Sequence, residues 1–436
     1  MVILAAGGQG VTRFHPVLVG ITLAIVAVAV VLTASHASGQ QPGEAHVLSL
    51  DQLLSIESVV GGATPRWSPD GSRILFASAL AGGGLMTVPA DGGFPTRIPL
   101  NLGGAGHFLA SQWVDWSPTG EWISFVSNKS GTPEIWLWSP EDGREVQLTR
   151  LGARIGSVSW APDGSQIALS GDRYGNMDVW RVTVPGGEVY RLTQAEQYDV
   201  YPTWTPDSRR ILYVRLDERW VDHEIVEIGL NGEGEQVLHH DEDFFDYGAG
   251  SKFGFPAPSP DGSAVLFPSH RSGWINYWIL PLKGDGSVRP LAPAQADQTS
   301  AQWSPDGQSV LFVENHNGTH DLRVAEVGGG KARAVVSPGT GVVSRPAWSP
   351  DGSRISYALG TPTEPQDLYV VDLASGSAKR LTRSLPAGGF ESRLTVPEKV
   401  TYDSSDGFEI SAYLYPPSRR GTGERVPGVM WIHGGP

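Results

Sequence analysis

Carboxylates recur along most of this chain at a near-constant interval. Asp70, Asp163, Asp207, Asp261, Asp306 and Asp351 each sit in a variant of Trp-Ser-Pro-Asp-Gly that returns about every 45 residues, with Thr119 in the corresponding place of the second copy. A carboxylate can serve as acid, base or metal ligand, but paired acid and base work wants two of them about 5 to 9.5 Å apart. One per repeat is too dispersed for that, and the bland reading, turn formation, is preferred. A denser group, His239-His240-Asp241-Glu242-Asp243, has metal-ligating side chains. Neighbours in sequence seldom all face one ion, so a solvated acidic loop is expected there and no metal or cofactor. Glu218 and Glu224, in the same wide interval, have the charge to hold a substrate's amino terminus. His270-Arg271-Ser272-Gly273-Trp274 and Asp172-Arg173-Tyr174-Gly175-Asn176 read as glycine-containing hairpin loops anchored by an arginine.

The elements that must position these residues follow from the repeat. Its copies begin at Trp67, Trp116, Trp160, Trp204, Pro258, Trp303 and Trp348. A period near 45 residues is that of a four-stranded propeller blade. Within each copy Pro presets a type I turn, Asp bonds nearby amides and Gly takes the left-handed exit, so the turn joins two strands. Apolar alternation follows, as in Ile74 and Phe76, Ile123 and Phe125, Ile167 and Leu169, or Val310 and Phe312, the pattern of a strand with one face buried. A third strand is read at 134–137, 178–181 and 367–370, and a fourth closes on Leu148-Thr149, Leu192-Thr193 or Leu381-Thr382. Seven copies of four strands predict an all-β, seven-bladed β-propeller over residues 61–390, with the motif Trp residues packed between blades.

Composition narrows the function. The chain has 32 basic and 46 acidic residues, a net charge of −14 with no basic run, which argues against a nucleic-acid partner. It has no Cys, which removes disulfides, thiolate catalysis and cysteine zinc sites. Residues 17–32 form an almost unbroken apolar run after Arg13 and before Ser35-His36-Ala37, which reads as a secretory signal over residues 1–37. Uncleaved, residues 17–34 would instead anchor the protein to a membrane. Either way, an exported protein, periplasmic or extracellular, is expected. Residues 38–60 read as a linker and one short capped helix opening at Ser49.

After Leu381-Thr382 the repeat stops. Residues 396–402 and 409–415 read as strands about a Ser405-Asp406-Gly407 turn, and Val429-Met430-Trp431-Ile432 is a continuous apolar run bounded by His433-Gly434-Gly435-Pro436. Such a run marks a strand covered on both faces, so residues 391–436 are expected to open an α/β domain.

The succession of WSPDG repeats, VTYDSSDGFEISAYLYPP and PGVMWIHGGP resembles the prolyl oligopeptidase family of serine peptidases, in particular its acylaminoacyl-peptidase and dipeptidyl-peptidase-like branches, over about residues 46–436. The resemblance implies that 391–436 begin an α/β-hydrolase domain and that the substrate is a peptide. It also makes the backbone N–H of Gly434 or, preferably, Gly435 an oxyanion donor, where only a residue without Cβ lets a carbonyl approach so closely. His433 belongs to that turn and is not read as a base. The family's Ser, Asp and His lie beyond this turn, and no Gly-x-Ser-x-Gly occurs in the 436 residues, so no catalytic residue is assigned here and the chain as given is expected to be inactive. The competing class is a non-enzymatic, TolB-like periplasmic propeller. That class implies an α/β domain ahead of the repeats, six blades, and no segment like 391–436. A propeller lyase or glycosidase would need inward-facing acids recurring at one position, and none recurs.

Overall fold

The computed structural model describes residues 64–78, 84–100, 113–218, 223–241, 256–284, 286–385, 394–407, 409–416 and 428–430. All fall in the second of two compact units, Ile56–Pro436. The apolar run at 17–34, the capped segment at Ser49, and His433, Gly434 and Gly435 lie outside the described residues. Among the described residues no helix is long and apolar enough to cross a membrane.

Twenty-eight strands form seven antiparallel groups of four, at 66–97, 115–147, 155–191, 198–241, 257–290, 297–336 and 342–380. Each group pairs its strands in chain order. These are the seven blades. Blades 6 and 7 are further joined by one parallel bridge, His320 to Val342. A two-stranded hairpin, Glu398–Asp403 with Glu409–Leu414, follows the last blade.

The second strand of each blade shows why the ring holds. Arg73–Ser78 and Ile123–Ser127 are buried on both faces along almost their whole length, rather than on one face. Successive residues point to opposite sides of a sheet. Ile74 and Phe76 pack on Leu368 and Val370 of blade 7, while Leu75 and Ala77 pack on Ile123 and Phe125 of blade 2. The same division gives a core between every adjacent pair of blades round to blade 7 against blade 1. Each strand has two neighbours, which corrects the expectation of one buried face.

The motif tryptophans do more than fill these cores. Trp67 Nε1 donates to the carbonyl of Ala347 (3.1 Å), Trp204 to Ser159 (3.1 Å), Trp303 to Ala257 (2.9 Å) and Trp348 to Gln302 (3.2 Å). In every case the acceptor is the residue just before the motif in the preceding blade. Trp160 reaches the same place through a relay, donating to Ser124 Oγ (2.8 Å), which in turn donates to Asp115 O (3.4 Å). Pro258 has no such donor to offer, and Trp116 Nε1 has no partner among the described residues. The bond from Trp67 to Ala347 joins blade 1 to blade 7.

Each motif carboxylate is consumed by its own turn. Asp70 accepts from Ser68 Oγ (2.5 Å) and Ser72 N (3.0 Å), Asp261 from Ser259 Oγ (2.6 Å) and Ser263 N (3.0 Å), and Asp306, Asp351 and Asp207 repeat the pattern. Gly307 follows with φ of 70°, and Ser208 takes that left-handed place in blade 4 with φ of 59°. The turn reading is borne out at residue level.

These bonds carry a pH prediction. The hydroxyl donors of Ser259 and Ser349, with the amides behind them, hold Asp261 and Asp351 down to about 2 from an ordinary 3.8, and Asp70, Asp207 and Asp306 are lowered for the same reason. A folded-state value below the unfolded one means that the unfolded chain binds protons first. The stabilisation is therefore present above about pH 4 and lost as pH falls toward 2. Burial raises Asp115, Asp178 and Asp199 and works the other way. The more numerous turn carboxylates are expected to dominate, so the urea midpoint should fall between pH 4 and pH 2, and Asp261→Asn with Asp351→Asn should flatten that fall.

Candidate functional site

In a blade of four antiparallel strands, the turns between strands 1 and 2 and between strands 3 and 4 leave on one side. The turns between strands 2 and 3 leave on the other. The WSPDG turns therefore share one face of the ring. Its glycines stack in order, with the Cβ position of Gly307 3.4 Å from Pro260 and that of Gly352 3.5 Å from Pro305. That face is closed by its own hydrogen bonds and has no spare acid or base in its motifs.

The opposite face holds the groups with chemistry to offer. The turn of blade 6 at 316–318 is where the terminal hairpin docks: Lys399 Nζ donates to His316 O (3.1 Å), and Tyr413 OH lies 3.3 Å from Thr319 Oγ1. On blade 3, Tyr174 is 60% exposed and stacks on Trp180 with ring centres 5.8 Å apart. The guanidinium of Arg191 lies 4.5 Å from the centre of the Tyr174 ring and pairs with Asp178 at 2.8 Å. On blade 5, Trp274 is also partly exposed. Exposed aromatic rings backed by a cation suit apolar or aromatic groups of a ligand.

The loop at 270–274 is anchored by its arginine as expected. Arg271 Nη2 bonds Asp241 Oδ2 (2.5 Å) and lies 3.0 Å from His239 Nε2. The loop at 172–176 is anchored differently, by Asp172 to Arg154 (2.7 Å) and by Asn176 to the carbonyls of Ala195 and Gln197, and not by Arg173. Glu218 is exposed at the turn after the second strand of blade 4, and Glu224 pairs across from Arg215 at the start of the third. The two flank one turn on this face.

His239, His240 and Asp241 are not in a loop. They close the fourth strand of blade 4, Gln236–Asp241, whose alternation sends His240 outward and buries Asp241. The wide interval reads as loop in sequence because polar residues fill an outermost strand. Glu242 and Asp243 lie outside the described residues. Among the described residues no group of His, Asp and Glu is arranged to hold a metal ion. Beside this strand His223 is buried, and that burial, ahead of the opposing pull of Asp241, pushes its imidazole well below the usual range.

A second set of carboxylates lies in the third strands of blades 2 and 7. Glu134 accepts from Thr149 Oγ1 (2.5 Å), Leu151 N (2.8 Å) and Gly152 N (2.8 Å). Asp367 accepts from Thr382 Oγ1 (2.6 Å) and Ser384 Oγ (2.9 Å) and pairs with Arg380. The Thr of each Leu-Thr pair also takes the next backbone amide, Ile135 N and Leu368 N at 2.9 Å and, in blade 3, Val179 N at 2.9 Å. The Leu-Thr signal thus marks a clasp between strands 3 and 4, and these buried acids are structural. The two share a spacing of 15 residues from acid to Thr, which gains meaning only once the strands are paired.

Residues 105–246 match the family model described as the TolB beta propeller domain. A solved puromycin hydrolase matches 89% of this chain and 64% of its own at 17% identity and a TM-score of 0.69. A puromycin-hydrolyzing peptidase of Mycobacterium tuberculosis matches 84% of this chain and 59% of its own, at 16% identity and TM-score 0.67. The fold is a propeller, of the TolB type over the matched residues, and is similar to that of these solved chains. A prolyl endopeptidase structure matches at 16% identity and TM-score 0.62. The chain spans 55% to 64% of the length of these solved chains. No curated protein matches in sequence.

Proposed function

We propose that this chain is the propeller-bearing portion of an exported serine peptidase of the prolyl oligopeptidase kind, in which the ring restricts which peptides reach an acyl-transfer site. The observation that carries the reading is the order of parts: seven blades, then a hairpin docked on the face opposite the WSPDG turns. That hairpin leaves Tyr402, Ile410, Leu414 and Tyr415 exposed. A two-stranded sheet open on both faces is marginal alone. It suits the edge of a larger sheet, and residues 391–436 are read as the opening of an α/β-hydrolase domain. There a Ser would attack the peptide carbonyl, a His would move the protons, and the N–H of Gly434 or Gly435 would hold the oxyanion. The non-enzymatic TolB-like reading has support in the family-model match but gives no part to the seventh blade or the hairpin.

The test compares two proteins. The 436-residue chain should neither hydrolyse a peptidyl-aminomethylcoumarin nor react with a fluorophosphonate. A protein continued through the in-frame coding sequence, if that supplies Gly-x-Ser-x-Gly, should do both. Hydrolysis by the 436-residue chain that a serine reagent abolishes would overturn the inactivity, and a continuation that never reacts would overturn the peptidase.

A further inference from the structure

The first strands of neighbouring blades meet one another, so they form the wall at the centre of the ring. In blades 4, 6 and 7 this wall is broken at the same place. The first strands slip register between Val200 and Thr203, Thr299 and Gln302, and Ser344 and Ala347. Tyr201, Ser300 and Arg345, each three residues before the motif Trp, take φ of 55°, 58° and 53°. A bulge with a left-handed residue re-aims the side chain that it carries. Tyr201 is buried and Ser300 is short, which leaves Arg345 as the charged group among the three.

Its surroundings hold the guanidinium in place without neutralising it. Arg345 Nη1 donates to Gln366 Oε1 (3.3 Å), and Gln366 Nε2 donates to Ser344 Oγ (2.9 Å). Gln366 can lie across the strand because residue 360 is Gly, where an added Cβ would come within 3.1 Å of Gln366 Cγ. The acids on either side of Gln366 are occupied elsewhere: Glu364 bonds Arg380 at 3.1 Å, and Asp367 also pairs with Arg380. Among the described residues no carboxylate pairs with Arg345. Partial burial lowers its pKa from the ordinary value with no acid opposing the shift, yet a guanidinium stays charged in proteins. A half-buried cation with five N–H donors and one neutral acceptor is poised for a carboxylate, which it can take in two parallel bonds.

We propose that Arg345, held by Gln366 and Ser344, is a carboxylate-binding site on the central wall of the ring, taking the free C-terminal carboxylate or an acidic side chain of a bound peptide. The peptide nature of the ligand rests on the function proposed above; the carboxylate preference rests on the geometry alone. The 436-residue chain is titrated with three probes: acetyl-Gly-Gly with a free carboxylate, the same peptide as its C-terminal amide, and acetyl-Gly-Glu amide.

The free acid should bind about tenfold or more tightly than the Gly-Gly amide, the size of a bond to a charged partner. Arg345→Gln should abolish the difference while leaving amide binding unchanged. Gln366→Glu, which sets a fixed carboxylate beside the guanidinium, should abolish it too with the thermal midpoint retained, and so separates loss of the site from loss of fold. If the Glu amide behaves as the free acid, the site takes acidic side chains; if as the Gly-Gly amide, it takes chain ends. Equal binding of acid and amide, no binding of either, or a preference that survives Arg345→Gln overturns the proposal. The readout needs no turnover, so a failure of the peptidase reading would leave an acid-over-amide preference standing.

Discussion

Asp367→Ala is expected to destabilise the propeller by about 3 to 5 kcal/mol, the cost of stripping one partner from a buried charge pair. Asp367 is fully buried beside Arg380, which would keep only the half-exposed Glu364. Thr382 Oγ1 and Ser384 N would lose their acceptor in the same step, and Ser384 Oγ would keep only the carbonyl of Gln366 at 3.3 Å. The position matters beyond its own blade, because Leu368, next in the strand, packs against Ile74 and Phe76 where blade 7 meets blade 1. Urea denaturation followed by tryptophan fluorescence measures the loss. Asp372→Ala, at an exposed turn of the same strand, serves as the comparison and should move the midpoint little. Asp367→Asn should fall between the two, since an amide oxygen can still accept from Thr382 while the charge on Arg380 goes unmatched.

How far the sequence foretold this is clear from the same residues. The turn, its period and the strand order were legible because turn chemistry is local: Ser68, Asp70 and Ser72 bond within one motif. The clasp of Asp367 by Thr382 was not, because it joins residues on different strands whose register only the folded blade sets. The two-sided burial of the second strands was half legible. The unbroken run Ile74-Leu75-Phe76-Ala77 is the pattern of a strand covered on both faces, yet read by alternation alone it suggests one face in water. The Trp residues were legible as packing but not as donors, since their acceptors lie a whole blade away. At the candidate site, His270–Trp274 announced its anchor, whereas Arg345 is an ordinary arginine in sequence. Its meaning comes from a bulge and from acids that are engaged elsewhere.

The second large effect isolates what neighbouring blades demand of the glycines in the outer turns. Gly143 and Gly187 occupy the turn between strands 3 and 4 in blades 2 and 3, and both have φ of 72°. At Gly143 an added Cβ would meet nothing within 4 Å, but at Gly187 it would lie 2.8 Å from the carbonyl oxygen of Leu148. That oxygen belongs to the Leu-Thr pair of the preceding blade and cannot swing aside as a side chain would. Gly232 repeats the arrangement against Leu192 at 3.1 Å, so the turn of one blade rests on the closing strand of the one before. Gly143→Ala should therefore show only the left-handed backbone penalty, about 1 to 2 kcal/mol. Gly187→Ala should add about 1 to 3 kcal/mol for the forced separation of the blades. Equal losses in the two variants would mean that the blades are not seated against each other here, and that the glycine-rich turn was selected for its backbone alone.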